Sequence, residues 1–160
     1  MAESGIKRRR VIAFIGLPGA GKSTLARAIA GALQLPRVDR DALPRAHFTE
    51  MEKAAVNARV FRAVARHACV VDGMTFARAD DRRRLRHAAR GKVLRWIFLA
   101  CPLALAQTRV ARDPAHPARD RDAALVRAVA ARLRPPPRTA LRLSARERPQ
   151  ALLRHLLRAL

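Results

Sequence analysis

The chain has 160 residues, half of them hydrophobic, and a formal charge of +22 at pH 7. That length encloses one hydrophobic core, so a single domain is expected over 1–160, and no apolar stretch is long enough to span a bilayer. The basic run Lys7 to Arg10 followed by VIAFIG superficially resembles a secretory leader, but its apolar part is short and no cleavage-like site follows; a cytoplasmic chain, monomeric or weakly homodimeric, is expected instead.

In chain order, Val11 to Ile15 is an apolar run with strand character that leads into GLPGAGKST at Gly16 to Thr24. Leu25, Ile29 and Leu33 then recur at four-residue spacing, which predicts a helix with one apolar face. A short second strand is expected over Leu35 to Asp39, closing in an acidic turn that includes Asp41. Glu50 to His67 reads as a helix with Val56, Val60 and Val64 in register, and Ala68 to Val71 as a buried strand ending at Asp72 and Gly73. A charged surface helix over Asp80 to Arg90, stopped by Gly91, precedes the strongest strand, Val93 to Leu99. A helix over Leu103 to Arg112 follows, and the two prolines of DPAHPARDRD, Asp113 to Asp122, bar a regular helix there. The next helix carries Leu125, Val126, Val129 and Leu133 and stops before Pro135, Pro136 and Pro137. A weak strand near Thr139 to Leu143 and a terminal helix with Leu153, Leu156, Leu157 and Leu160 complete the chain.

This alternation implies a mostly parallel sheet covered on both faces, with ligands bound beyond the carboxyl ends of the strands. Asp39, Asp41 and Asp72 then share a rim with the glycine-rich loop. Gly16, four intervening residues, Gly21, Lys22 and Ser23 form the full Walker A pattern between a strand and a helix. Its glycines let successive amides converge on an anion, and the helix that begins near Lys22 adds its positive end. The nucleotide-binding set is therefore Gly16, Pro18, Gly19, Ala20, Gly21, Lys22, Ser23 and Thr24. Lys22 is placed near the β- and γ-phosphates, the Ser23 hydroxyl on Mg²⁺, and Thr24 near the α-phosphate. ATP and Mg²⁺ are the expected ligands.

The charge favours anionic ligands, but it is spread over nearly every segment, and aromatic residues make up only 4%. A solvated surface shaped by a coding bias towards Arg, Ala and Pro, and a polyanion-binding surface, both remain open, the first favoured. Cys69 and Cys101 lack metal-ligand spacing and read as buried, reduced thiols. His47, His67, His87, His116 and His155 show no metal-binding pattern.

GLPGAGKSTLA, VDRDAL, VVDGMTF, WIFLACPLALAQTRVARD and HPARDRDAALVRAVAARL together resemble the small P-loop kinases of the polynucleotide-kinase-like group. Neighbours of that group include gluconate kinase, zeta toxins and chloramphenicol phosphotransferase. The resemblance implies a P-loop NTPase α/β/α sandwich with a mostly parallel five-stranded sheet and a small lid at about 112–122. It implies that Asp41 receives or orients the acceptor hydroxyl. The group's Arg three positions later is Pro44 here, with Arg45 one step beyond. Asp72 is similar to the Asp of the group's D-G-T-F element, with Met74 inserted before Thr75 and Phe76; it holds a metal-bound water or serves as the base. The lid arginines correspond to Arg109, Arg112, Arg119 and Arg121.

Three function classes follow. The first is a kinase that transfers the γ-phosphoryl of ATP to a hydroxyl of a small molecule or of a nucleic-acid 5′ end, with Lys22, Asp41, Asp72 and Arg109 at the chemistry and Ser23 and Asp72 at the metal. The second is a nucleotide hydrolase or switch, and the third a basic nucleic-acid-binding protein with a P-loop. A guanine-reading N-K-x-D element is excluded, since Asn57 is the chain's single Asn.

Overall fold

The computed structural model describes residues 9–43, 49–113 and 121–160. Strand β1 (Arg10–Ile15) is apolar without interruption from Val11 onward because both of its faces are buried, the pattern of a central parallel strand. It lies between β3 (Cys69–Asp72) and β4 (Val93–Ala100), with β2 (Arg37–Asp39) and β5 (Leu141–Ser144) at the edges. The order is β2-β3-β1-β4-β5, and every pairing is parallel. The expected mostly parallel sheet is thus wholly parallel, and all five carboxyl ends point to one rim.

Six helices are present among the described residues: α1 (Lys22–Leu33), α2 (Glu50–Arg66), α3 (Ala79–Ala88), α4 (Leu103–Ala111), α5 (Ala123–Arg132) and α6 (Pro149–Ala159). Alternate β1 residues face opposite layers. Ile12 and Phe14 pack with Leu25 and Ile29 of α1 and Leu152 and Leu156 of α6. Val11, Ala13 and Ile15 pack with Val60 and Val64 of α2 and Leu85 of α3. A third cluster joins α4 and α5 through Ala106, Val110, Val126 and Val129 to Leu17, inside the glycine-rich loop, and to Ala77. That loop therefore rests on packed helices, which limits its freedom.

Boundaries differ from expectation where local caps compete with strands. Gln34 takes a left-handed φ of 53° as the C-cap of α1, and the Leu35 N–H bonds the Ala30 carbonyl at 2.9 Å. Those residues are used to close the helix, so β2 begins only at Arg37. Likewise Ala140 N–H bonds Pro137 O in a turn, and β5 starts at Leu141 rather than Thr139. Helix α3 ends at Ala88, short of Arg90, and Gly91 sits in the following turn. In α6 the buried leucines are Leu152 and Leu156, which pack against α1 and the sheet, while Leu157 is turned outward and is 41% exposed. Thr49 and Asp122 cap α2 and α5 with their side chains. No helix of the described residues is long and apolar enough to cross a membrane.

Ile29 is fully buried between α1 and the sheet. Ile29→Ala is expected to lower stability by about 2–5 kcal/mol through lost transfer energy and a residual cavity, as read from the urea midpoint at constant m-value.

Candidate active site

The turn from β1 to α1 demands glycine for a steric reason at Gly19. Its φ is 81°, and a Cβ there would collide with the Ala106 carbonyl oxygen on α4. Helix α1 then opens without a side-chain cap: Gly21 is its N-cap, and the first turn carries no carboxylate. The amides of that first turn lack partners within the helix, and Lys22, Ser23 and Thr24 line a cavity of about 510 Å³. An uncapped helix start facing a cavity fits a phosphate chain.

Lys22 folds back inside the loop, and its ammonium donates to the Leu17 carbonyl at 2.5 Å. Burial pushes its pKa down to about 8, helped by the Arg121 guanidinium and opposed by the Asp72 and Asp41 carboxylates. Beside it, Ser23 Oγ donates to Asp72 Oδ1 at 2.8 Å. The same oxygen accepts from the Gly73 N–H at 2.7 Å, and Asp72 Oδ2 accepts from Arg37 at 2.7 Å. Asp72 is thus a buried carboxylate held by three donors. Arg37 also bridges Asp39 at 3.0 Å, and the parallel register sets Asp39 opposite Asp72.

Among the described residues no cluster of three or more metal-ligating side chains exists. The Ser23 hydroxyl beside one carboxylate instead fits Mg²⁺, a hard cation that keeps most of its waters and takes few protein oxygens.

Asp41 sits in the turn after β2, where its N–H donates to Asp39 Oδ1 at 3.0 Å. Arg40 reaches Asp41 at 3.7 Å and Asn57 of α2 at 2.7 Å. Gly73, with φ of 77°, allows this turn to approach: a Cβ there would lie 2.9 Å from the Asp41 nitrogen. Beyond it, Gly16 N–H bonds the Thr75 carbonyl at 3.2 Å. Phe76 holds a left-handed φ of 47°, a strained state for an aromatic residue, and packs edge-on against Trp96 at 5.2 Å.

A family model described as AAA domain matches residues 11–136. The chain belongs to the AAA domain family. Solved structures with the same fold include a gluconokinase from Sinorhizobium meliloti, 21% identical over 94% of this chain and 90% of that one, with a TM-score of 0.76. A sugar kinase from Janibacter sp. is 19% identical over 94% and 92%, with a TM-score of 0.72. An APS kinase from Mycobacterium tuberculosis, in complex with AMPPNP and APS, is 19% identical over 94% and 96%, with a TM-score of 0.70. No curated protein matches the sequence. The fold of this AAA domain is that of the small P-loop kinases, as the sequence motifs imply.

Of the residues singled out in the sequence, Pro18, Gly19, Gly21, Lys22, Ser23, Thr24, Asp41 and Arg109 line this same cavity, while Gly16 and Ala20 are buried behind it. Asp72 reaches it through Ser23 and Gly73. Arg109 comes from α4 and donates to the Ala20 and Ala145 carbonyls at 3.4 and 2.9 Å. Arg112 is exposed at the end of α4 and does not line the cavity. Arg121 lines it and pairs with Asp113 at 3.1 Å. Pro44, Arg45, His47, His116, Arg119 and most of the expected lid lie outside the described residues. Sequence reasoning missed Arg37, although period-two alternation in RVD puts Arg37 and Asp39 on one face of β2. It also missed the cavity-lining Arg40, Asn57, Arg78, Arg84 and Arg132.

Burial lowers the Lys22 pKa to about 8 and a triphosphate favours its charged form, so nucleotide binding above pH 8 is expected to take up a proton. At pH 9, AMPPNP binding is expected to absorb up to about one proton, and at pH 7 almost none, as measured by calorimetry in buffers of different ionisation enthalpy. Affinity falls as the pH rises through this range. Lys22→Met removes the uptake.

Proposed function

We propose that this protein is an ATP-dependent phosphotransferase that passes the γ-phosphoryl group of magnesium ATP to a hydroxyl group of a small molecule or a nucleic-acid 5′ end. One observation carries this reading: the loop suited to a triphosphate and the Asp41 carboxylate line the same cavity, beside the Ser23–Asp72 pair. The likeness to a gluconokinase and to an APS kinase that holds AMPPNP and APS supports ATP as donor and a hydroxyl as acceptor.

In this reading the amides at the start of α1 grip the β- and γ-phosphates, and Lys22 exchanges the Leu17 carbonyl for phosphate oxygens. Ser23 and Asp72 hold Mg²⁺, which offsets phosphate charge when bound. Three donors on Asp72 suit a holding role better than proton transfer. Asp41 orients the acceptor hydroxyl and takes its proton late in the reaction. The new bond joins the acceptor oxygen to the γ-phosphorus, the bond from that phosphorus to the β–γ bridging oxygen breaks, and ADP leaves. Arg109 and Arg121 neutralise the developing charge, with Arg112 and Arg119 joining from a lid over 112–122. The whole chain acts as one domain. The unpaired thiols Cys69 and Cys101 suit a reducing cytoplasm.

Transfer from γ-labelled ATP to a panel of hydroxyl acceptors tests this directly. Lys22→Ala is expected to lower transfer by about 100-fold or more for every acceptor; wild-type rates in that variant refute the assignment. Asp41→Asn is expected to cut turnover by about 100-fold or more with AMPPNP affinity unchanged. Asp72→Asn should instead raise the magnesium concentration needed for half-maximal rate. The opposite pattern in the two variants would exchange their roles, and label appearing only in inorganic phosphate would make the protein a hydrolase.

A further inference from the structure

The catalytic cavity adjoins a groove of about 570 Å³, and the two share Arg78, the residue before α3, and Arg132, in the last turn of α5. Arg84 of α3 lines the cavity beside them, and Arg134 lines the groove. All four side chains belong to exposed residues, and none is paired with a carboxylate among the described residues. Asp80 is taken by Arg83 on the same helix, so Asp81 is the carboxylate that α3 brings to the cavity.

A buried arginine fixes the spacing of this wall. Arg82 is 4% exposed, and its guanidinium donates to Phe76 O at 2.7 Å, Pro135 O at 2.6 Å and Arg134 O at 2.7 Å. The Arg134 N–H returns a bond to Ala77 O at 3.0 Å. The segment entering α3 and the segment leaving α5 are thereby stapled together, with Arg78 and Arg132 flanking the staple. Like charges confined within a Debye length repel, and a bound anion relieves that repulsion while matching the fork geometry of the guanidinium groups. The wall also follows the β3 end, on the same side of β1 as Asp41, whereas Arg109 ties the loop towards β5.

We infer that this wall is an anion subsite for the acceptor: the hydroxyl compound phosphorylated here carries a phosphate or carboxylate group, held between Arg78 and Arg132 with Arg84 alongside. The inference rests on the phosphotransferase reading and narrows its acceptor class. Diffuse surface charge alone does not produce it, because the arginines converge from two helices onto the cavity that holds Asp41.

The test is a ³¹P line-broadening titration of inorganic phosphate against protein saturated with magnesium AMPPNP, which occupies the γ-phosphate position. Wild-type protein should broaden the phosphate signal. Arg78→Ala/Arg132→Ala should weaken phosphate binding at least tenfold with AMPPNP affinity unchanged. The corresponding double lysine variant should retain part of it, and the control Arg154→Ala/Arg158→Ala on α6 all of it. Displacement of phosphate by D-gluconate but not D-glucitol supports a carboxylate acceptor, and displacement by glycerol 2-phosphate alone supports a phosphorylated one. Absence of broadening, or equal loss in the α6 control, overturns the subsite while leaving the nucleotide site intact. Failure of AMPPNP to bind in the same sample overturns the phosphotransferase reading instead.

Discussion

The structure is organised around a start of α1 that has no cap of its own. A helix whose first amides lack partners is unfavourable unless water or an anion satisfies them, and here Gly21 supplies no side chain and the first turn no carboxylate. Everything nearby maintains that condition. Gly19 lies against the Ala106 carbonyl, Leu17 is anchored in the α4–α5 cluster, and the Thr75 carbonyl holds Gly16. Lys22, buried and with a lowered pKa, is kept at the loop by the Leu17 carbonyl. A parallel sheet then brings the ends of β2 and β3 to the same rim, which is why Asp41 and Asp72 meet this loop.

Much of this was legible in the residues because it is local chemistry. The apolar run of β1, the glycine spacing and the four-residue periodicity of α1 occupy one continuous segment, and the rim rule for parallel sheets then located both aspartates. Legibility failed where a choice depended on the state of a neighbour. Gln34 closes α1 in a left-handed conformation usually left to glycine, so nothing in its identity announced that Leu35 would leave β2. The paired leucines of α6 allow two buried faces, and only packing against α1 and the sheet selects the one that buries Leu152 and Leu156. The cavity arginines were harder still. Arg78 and Arg132 are far apart in the chain and alike in sequence to many solvated arginines.

Arginine accordingly performs three physically distinct tasks in one small domain. Arg37 neutralises the facing Asp39 and Asp72 at the end of the sheet. Arg82 is a buried hydrogen-bond hub that acts through backbone carbonyls, and desolvation lowers its pKa. Arg109 bridges the loop to the segment after β5 through two carbonyls. Net charge alone distinguishes none of these, since each is defined by what the guanidinium touches. Lysine, with three donors on a single nitrogen, cannot reproduce the Arg82 arrangement, in which three separate nitrogens each reach a different carbonyl.

The edge-on contact between Phe76 and Trp96 has a practical consequence. Trp96 is the chain's single tryptophan and is 5% exposed, within a buried apolar cluster and edge-on to Phe76. Phe76 follows directly on Thr75, whose carbonyl restrains Gly16. Phe76 therefore links the carbonyl that restrains Gly16 to the indole ring through two residues. With a single indole so near the loop's backbone anchor, intrinsic emission is the natural signal in which to look for loop occupancy.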